Sequence, residues 1–127
     1  MFGYRKQVNL SYEAAVQRVR DELKKEGFGV LTEIDVKDTL KKKLDVDFGK
    51  YIILGACNPP FAYRALKTEI EIGLAMPCNV IVYEQNGKTF VSATRPTLTM
   101  NIVKNEELGG VAAQIEEKLK KVVDAVV

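Results

Sequence analysis

Two Cys-Asn pairs are where this chain's residue types and spacing could do chemistry. Tyr51-Ile52-Ile53-Leu54-Gly55-Ala56-Cys57-Asn58-Pro59-Pro60 holds the first, and Met76-Pro77-Cys78-Asn79-Val80 the second. These are the chain's two cysteines. A cysteine becomes a nucleophile or a redox centre when a helix N-terminus or a cation stabilises its thiolate. Cys57 stands one residue before an expected helix N-cap at Asn58, which favours that use. Its neighbours oppose it. Pro59 and Pro60 have no amide hydrogens to offer, and Asn58, as an N-cap, would spend its side chain on the Phe61 amide. Histidine is absent, so no Cys-His or Ser-His mechanism can be built from this chain. The ordinary role of Cys57 is that of a small buried hydrophobe ending a strand. Asp35 is a further polar spot at a strand end, and its ordinary role is to cap the helix that follows. The candidate ligand or thiol site is therefore Cys57, Asn58, Pro59, Cys78, Asn79 and Asp35, with catalytic residues unknown.

A bridge between the cysteines is not expected. Twenty residues separate them. If those residues form one helix rising ~1.5 Å per residue, its ends lie far beyond the ~7 Å between Cα atoms that a disulfide allows. Two thiols without imidazole and without close spacing match no standard zinc pattern. No metal and no cofactor are expected.

The elements that must hold these residues follow from periodicity. Phe2 to Leu10 reads as a strand. Ser11 is an N-cap, and Tyr12, Ala15, Val16, Val19 and Leu23 make a helical stripe that ends near Glu26, where Gly27 and Gly29 bracket Phe28. A strand over Val30 to Val36 leads into a short amphipathic helix, Lys37 to Leu44. Tyr51 to Cys57 reads as an interior strand buried on both faces. A helix starts at Pro59 and falters near Thr68. Cys78 to Glu84 and Thr89 to Thr94 flank Asn86-Gly87, a strong hairpin signal. Leu98 to Val103 is ambiguous. A long stripe follows, with Gly109-Gly110 placing the helix start near Val111. The pattern predicts one domain over residues 1–127, α+β in class, with a mainly antiparallel sheet and helices packed on one face.

Composition excludes more than it identifies. Nineteen basic residues nearly cancel seventeen acidic ones, so nothing in the charge calls for nucleic acid or an acidic membrane. Lys41-Lys42-Lys43 lies beside Asp38, Asp45 and Asp47 and reads as a solvated helix face. Met1 to Lys6 contains no apolar stretch of signal-peptide length, and no segment approaches the ~20 apolar residues of a membrane span. A cytoplasmic location is expected.

Gly27-Phe28-Gly29-Val30-Leu31-Thr32-Glu33-Ile34-Asp35-Val36, then Lys43-Leu44, Val46-Asp47-Phe48, Leu54-Gly55-Ala56-Cys57-Asn58-Pro59 and Pro77-Cys78-Asn79-Val80 closely resemble the bacterial and archaeal family known as domain of unknown function 302. The resemblance runs over nearly the whole chain. It implies a compact two-layer α+β fold likened in architecture to the TATA-box-binding protein, a likeness that carries no DNA-binding inference. It supplies no catalytic residues, and a homodimer is in keeping with it. Three positions depart from the expected pattern: Asp45 replaces glycine, Ile70 replaces proline, and Arg95 replaces an acidic residue before Pro96. The function expected is that of a small ligand-binding or sensor domain with its Cys-Asn corners near the working surface. A thiol enzyme using Cys57 and a structural interaction module are the alternatives.

Overall fold

Ser11 stops the first strand and accepts the Ala14 amide at 3.1 Å, so the chain turns directly from β1 (Tyr4–Val8) into α1 (Tyr12–Lys25). The computed structural model describes residues 3–101 and 103–127; the expected start of the first strand at Phe2, and Ile102, lie outside them. After α1 come β2 (Gly29–Asp35), α2 (Val36–Leu44), β3 (Tyr51–Cys57) and α3 (Pro59–Thr68). A 3-10 helix at Ile70–Ala75 then leads to β4 (Cys78–Gln85), β5 (Lys88–Ala93), α4 (Pro96–Thr99) and α5 (Glu106–Ala125). The sheet order is β1-β5-β4-β3-β2, and every pair is antiparallel. The α+β class with helices on the sheet is as the sequence predicts.

Side chains alternate between the two faces of a strand, and the register turns that alternation into rows. Leu54, Val80 and Ala93 lie side by side, as do Ile52, Val82 and Val91. All six are buried. They pack against Ala15, Val19 and Leu23 of α1 and Val111, Ile115, Leu119 and Val122 of α5, forming the core. The rows between them face away from α1 and α5: Thr32–Gly55–Asn79, Ile34–Ile53–Ile81–Ser92–Arg5, and Tyr51–Tyr83–Phe90–Gln7. Tyr51 to Cys57 is thus not buried on both faces, as its unbroken apolar run suggests. Tyr51 and Ile53 are half-exposed while Ile52 and Leu54 are buried. Apolar residues persist on this open face because they support one another in rows.

One helix boundary differs from expectation for a physical reason. Helix α5 begins at Glu106, not near Val111, because Asn105 accepts the Leu108 amide at 3.1 Å and Glu106 and Glu107 face the positive helix end. Gly109 and Gly110 sit on its exposed side, where the helix tolerates them at about 1 kcal/mol each. The ambiguous stretch from Leu98 falls at the end of α4 and in the loop after it. The three departures also find structural roles. Asp45 ends α2 at φ +53, a left-handed position where glycine is the usual residue. Ile70 is exposed in the 3-10 helix, after a break that extended Glu69 makes without proline. Arg95 approaches Glu116 at 3.4 Å.

Candidate functional site

Strand β3 runs into α3 at Cys57-Asn58-Pro59. Asn58 occupies the N-cap position, and the prolines fit the first turn, but the Asn58 side chain makes no cap hydrogen bond. That expectation fails for a definite reason. The Asn58 amide donates to the Glu26 carbonyl at 3.1 Å, one of the carbonyls that the end of α1 leaves without a helical partner. The close approach is made over Gly27, whose φ is +85 and whose absent Cβ would stand 3.3 Å from the Asn58 amide nitrogen. Asn58, only 8 % exposed, therefore ties the end of α1 to the start of α3. Asp35 keeps its ordinary role, accepting the Asp38 amide at 2.9 Å as the cap of α2. Both side chains are thus engaged in hydrogen bonds of the framework.

The cysteines are closer than a continuous helix would put them. Helix α3 ends at Thr68, the 3-10 helix turns the chain back, and a cis bond joins Met76 to Pro77. Cys78 therefore pairs with Ala56, the neighbour of Cys57. Both thiols are free. Both line a cavity of about 20 Å³ with Phe28, Ala62, Ala65, Met76, Met100 and Ile115, room for one water at most. Burial pushes the Cys78 thiol up to about 11, with the nearby Cys57 adding in the same direction. The other residues around this cavity carry no acid or base that could take the Cys57 proton. Among the described residues no group of three metal-ligating side chains is gathered.

Asn79 has a different setting. Strand alternation that buries Cys78 turns Asn79 outward, where it is exposed. Asn79 lies at the junction of two concave surfaces. One is a trough of about 380 Å³ on the open sheet face, floored by Ile53, Ile81 and Ser92 and flanked by Arg5 and Thr94. The other is a groove of about 590 Å³ beneath the 3-10 helix, lined by Ile72, Leu74, Met76, Pro77, Thr94 and Met100. Asn79 and Thr94 border both.

The far end of the trough is closed by aromatic rings. Tyr51 stacks on Tyr83 with centroids 5.4 Å apart, and Tyr83 on Phe90 at 5.2 Å, with interplanar angles of 18° and 20°. The Arg5 guanidinium lies 4.7 Å from the Phe90 centroid and donates to the Tyr83 hydroxyl at 3.3 Å. Phe48 approaches Tyr51 at the other end at 6.2 Å. The rings thus form one continuous aromatic row across β3, β4 and β5, with Arg5 against its Phe90 end.

Sequence reasoning did not identify the trough, because its residues are scattered over four strands and share a face only through the register. It also did not identify a buried carboxylate on α5. Glu116 accepts the Thr97 hydroxyl at 2.6 Å and the Thr97 amide at 3.1 Å, with Lys120 at 3.5 Å. Burial pushes its pKa up, but the Thr97 donors, Arg95 and Lys120 outweigh that and hold it below the usual range. The signal was present, since Glu116 interrupts the apolar stripe beside Ile115 and Arg95 is an unexpected cation.

A single antiparallel sheet covered by helices on one face and concave on the other defines a two-layer α+β domain with an open sheet face. The chain belongs to the family described as "Domain of unknown function DUF302", whose model matches residues 4–126. A crystal structure of an uncharacterized conserved protein DUF302 from Bacillus stearothermophilus superposes with a TM-score of 0.94 at 34% identity, covering 100% of this chain and 99% of that one. No curated protein matches the chain. No helix among the described residues is long and apolar enough to cross a membrane.

Proposed function

We propose that this protein is a small ligand-binding or sensor domain whose site is the open-face trough together with the groove beneath the 3-10 helix. The observation that carries the reading is that the two surfaces meet at Asn79 and Thr94. Their volumes fall within the roughly 300–1,000 Å³ of small-molecule sites. Aliphatic and methionine side chains dominate the groove, Tyr51 and Tyr83 join Ile53 and Ile81 in the trough, and Asn79, Thr94, Ser92, Thr99, Arg5 and Glu71 supply polar groups. The ligand that fits is an elongated, mainly apolar molecule with a hydrogen-bonding or anionic end. Of the candidate residues, Asn79 contacts the ligand, Cys78 supports β4 from the core side, and Cys57, Asn58, Pro59 and Asp35 hold the framework.

The same reading makes the protein a cytoplasmic homodimer that binds neither nucleic acid nor membrane. The near balance of nineteen basic and seventeen acidic residues supports the absence of a nucleic-acid surface, since single strands need a basic track. Titration of the native protein with the fluorophore 1-anilinonaphthalene-8-sulfonate tests the site. Saturable one-to-one binding is expected. Asn79→Trp, which places an indole at the junction, should weaken it at least about tenfold, the effect of losing roughly 1.4 kcal/mol. Absence of saturable binding, or equal affinity in the variant, refutes the reading.

A further inference from the structure

The trough on the open sheet face carries its charge at one point. Arg5 is the one charged side chain that lines it. Its strand neighbour Lys6 is spent elsewhere, donating to the Asp124 carbonyl at 3.0 Å. None of the ion pairs among the described residues includes Arg5. The guanidinium is nevertheless held in place. It lies 4.7 Å from the Phe90 centroid and gives a hydrogen bond of 3.3 Å to the Tyr83 hydroxyl. Neither partner cancels its charge, and a guanidinium has further N–H donors in the same rigid fork. A cation fixed on a ring before binding also loses little freedom when an anion arrives.

We infer that the trough takes a monocarboxylate with an aliphatic tail, its carboxylate on Arg5 and its tail directed to Asn79. The inference rests on the ligand-binding reading above and names the ligand class. One guanidinium neutralises one charge, and its planar fork matches a carboxylate. A phosphate monoester, with a charge of about −2 at pH 7, would keep half of it unpaired above an apolar floor. The strand sets the direction of the tail. Tyr83, Ile81 and Asn79 share one face of β4 and all line the trough. The path from the Arg5 anchor at Tyr83 to Asn79 is therefore about 13 Å, and it passes over Ile81 with Ile53 of β3 paired beside it. Beyond Asn79 the groove continues the apolar path past Met76, Ile72 and Leu74. Leu74 is 88 % exposed, an aliphatic side chain that a longer tail would cover. Glu71 borders this second surface and repels an anion there, which leaves the Arg5 end for the carboxylate.

Isothermal titration calorimetry of the full chain at pH 7 with octanoate and with 1-octanol tests this. Octanoate should bind one-to-one, and 1-octanol at least about tenfold more weakly, the difference that a charge-assisted hydrogen bond makes. Arg5→Gln should bring octanoate down to the affinity of 1-octanol. Arg5 is an exposed strand residue, and an unchanged thermal midpoint verifies that the variant folds. Asn79→Trp, which obstructs the junction, should weaken both probes. Equal affinity of the parent for the two probes, or octanoate binding that Arg5→Gln leaves intact, overturns the carboxylate class while the ligand-binding reading stands. Failure of both probes with 1-anilinonaphthalene-8-sulfonate still bound overturns this inference alone, and failure of all three overturns the ligand-binding reading with it.

Discussion

Replacing Asn58 by aspartate separates two roles that a cap-type residue can have at this corner. If the side chain served as the N-cap of α3, aspartate would be as good as asparagine, and its charge at the positive helix end would add about 0.3–1 kcal/mol. The structure predicts the opposite sign. The Asn58 amide donates to the Glu26 carbonyl at 3.1 Å in a setting only 8 % exposed. Aspartate puts an acceptor against an acceptor. Loss of the bond costs about 1 kcal/mol, and the stranded carbonyl adds about 1–3 kcal/mol. A total near 3 kcal/mol would take a large share of a stability of about 5–15 kcal/mol. In urea, with a slope of about 1.5 kcal/mol/M, the midpoint falls by about 2 M. Burial without a donor raises the pKa of the introduced carboxyl above its unfolded value. The deficit is therefore complete above the raised folded-state pKa and vanishes below the unfolded one, where the protonated acid can itself donate to Glu26. Asn58→Ala should lose about 2 kcal/mol without that pH dependence. If Asn58→Asp unfolds within 0.5 kcal/mol of the parent at pH 7, a difference of roughly the RT scale, the tie between α1 and α3 is not what Asn58 contributes.

Two further outcomes follow from groups described above. The Glu116 carboxyl has a folded-state pKa below its ordinary value, with burial opposing the shift and Thr97, Arg95 and Lys120 outweighing it; its contribution is present above the unfolded value near ~4.3 and is lost as pH falls through the folded one. Urea unfolding at pH 7 and pH 3 should show Glu116→Gln losing less stability on acidification than the parent, and equal losses would contradict the assignment. Cys78, pushed up to about 11 by burial and by nearby Cys57, should resist iodoacetamide at pH 8 in the native protein and react only as the chain unfolds; native alkylation at the rate of an exposed thiol would show the strand end to be open.

Local chemistry made much of the fold legible. Ser11, Asp35 and Asn86-Gly87 each act within a few residues, and each stands where its type demands. What the sequence hid was long-range. Asn58 advertises a cap, but the carbonyl it meets lies 32 residues away. The same cause explains the misplaced cysteines, because a chain reversal through the 3-10 helix at Ile70–Ala75 has no strong local marker. The open-face trough is invisible for another reason. Ile53 and Ile81 are as apolar as the core residues beside them, and only the sheet register reveals that they face away from α1 and α5.

The two Cys-Asn pairs are alike in sequence and opposite in use, and the geometry of their elements explains why. At Cys57-Asn58 the strand ends and the chain turns into a helix, so both residues stay with the framework: Cys57 lines the small cavity and Asn58 reaches α1. At Cys78-Asn79 the strand continues, and its alternation sends neighbours to opposite faces. Cys78 goes to the core and Asn79 to the solvent side. Gly55 makes that corner fit. A Cβ there would collide with the Thr32 hydroxyl and stand 2.9 Å from Pro77 Cγ, so the missing side chain allows Thr32 and Pro77 to close over β3 beside Asn79. The pairs are therefore not two halves of one thiol centre. The first fastens the helix layer together, and the second carries one polar side chain to the meeting point of the trough and the groove.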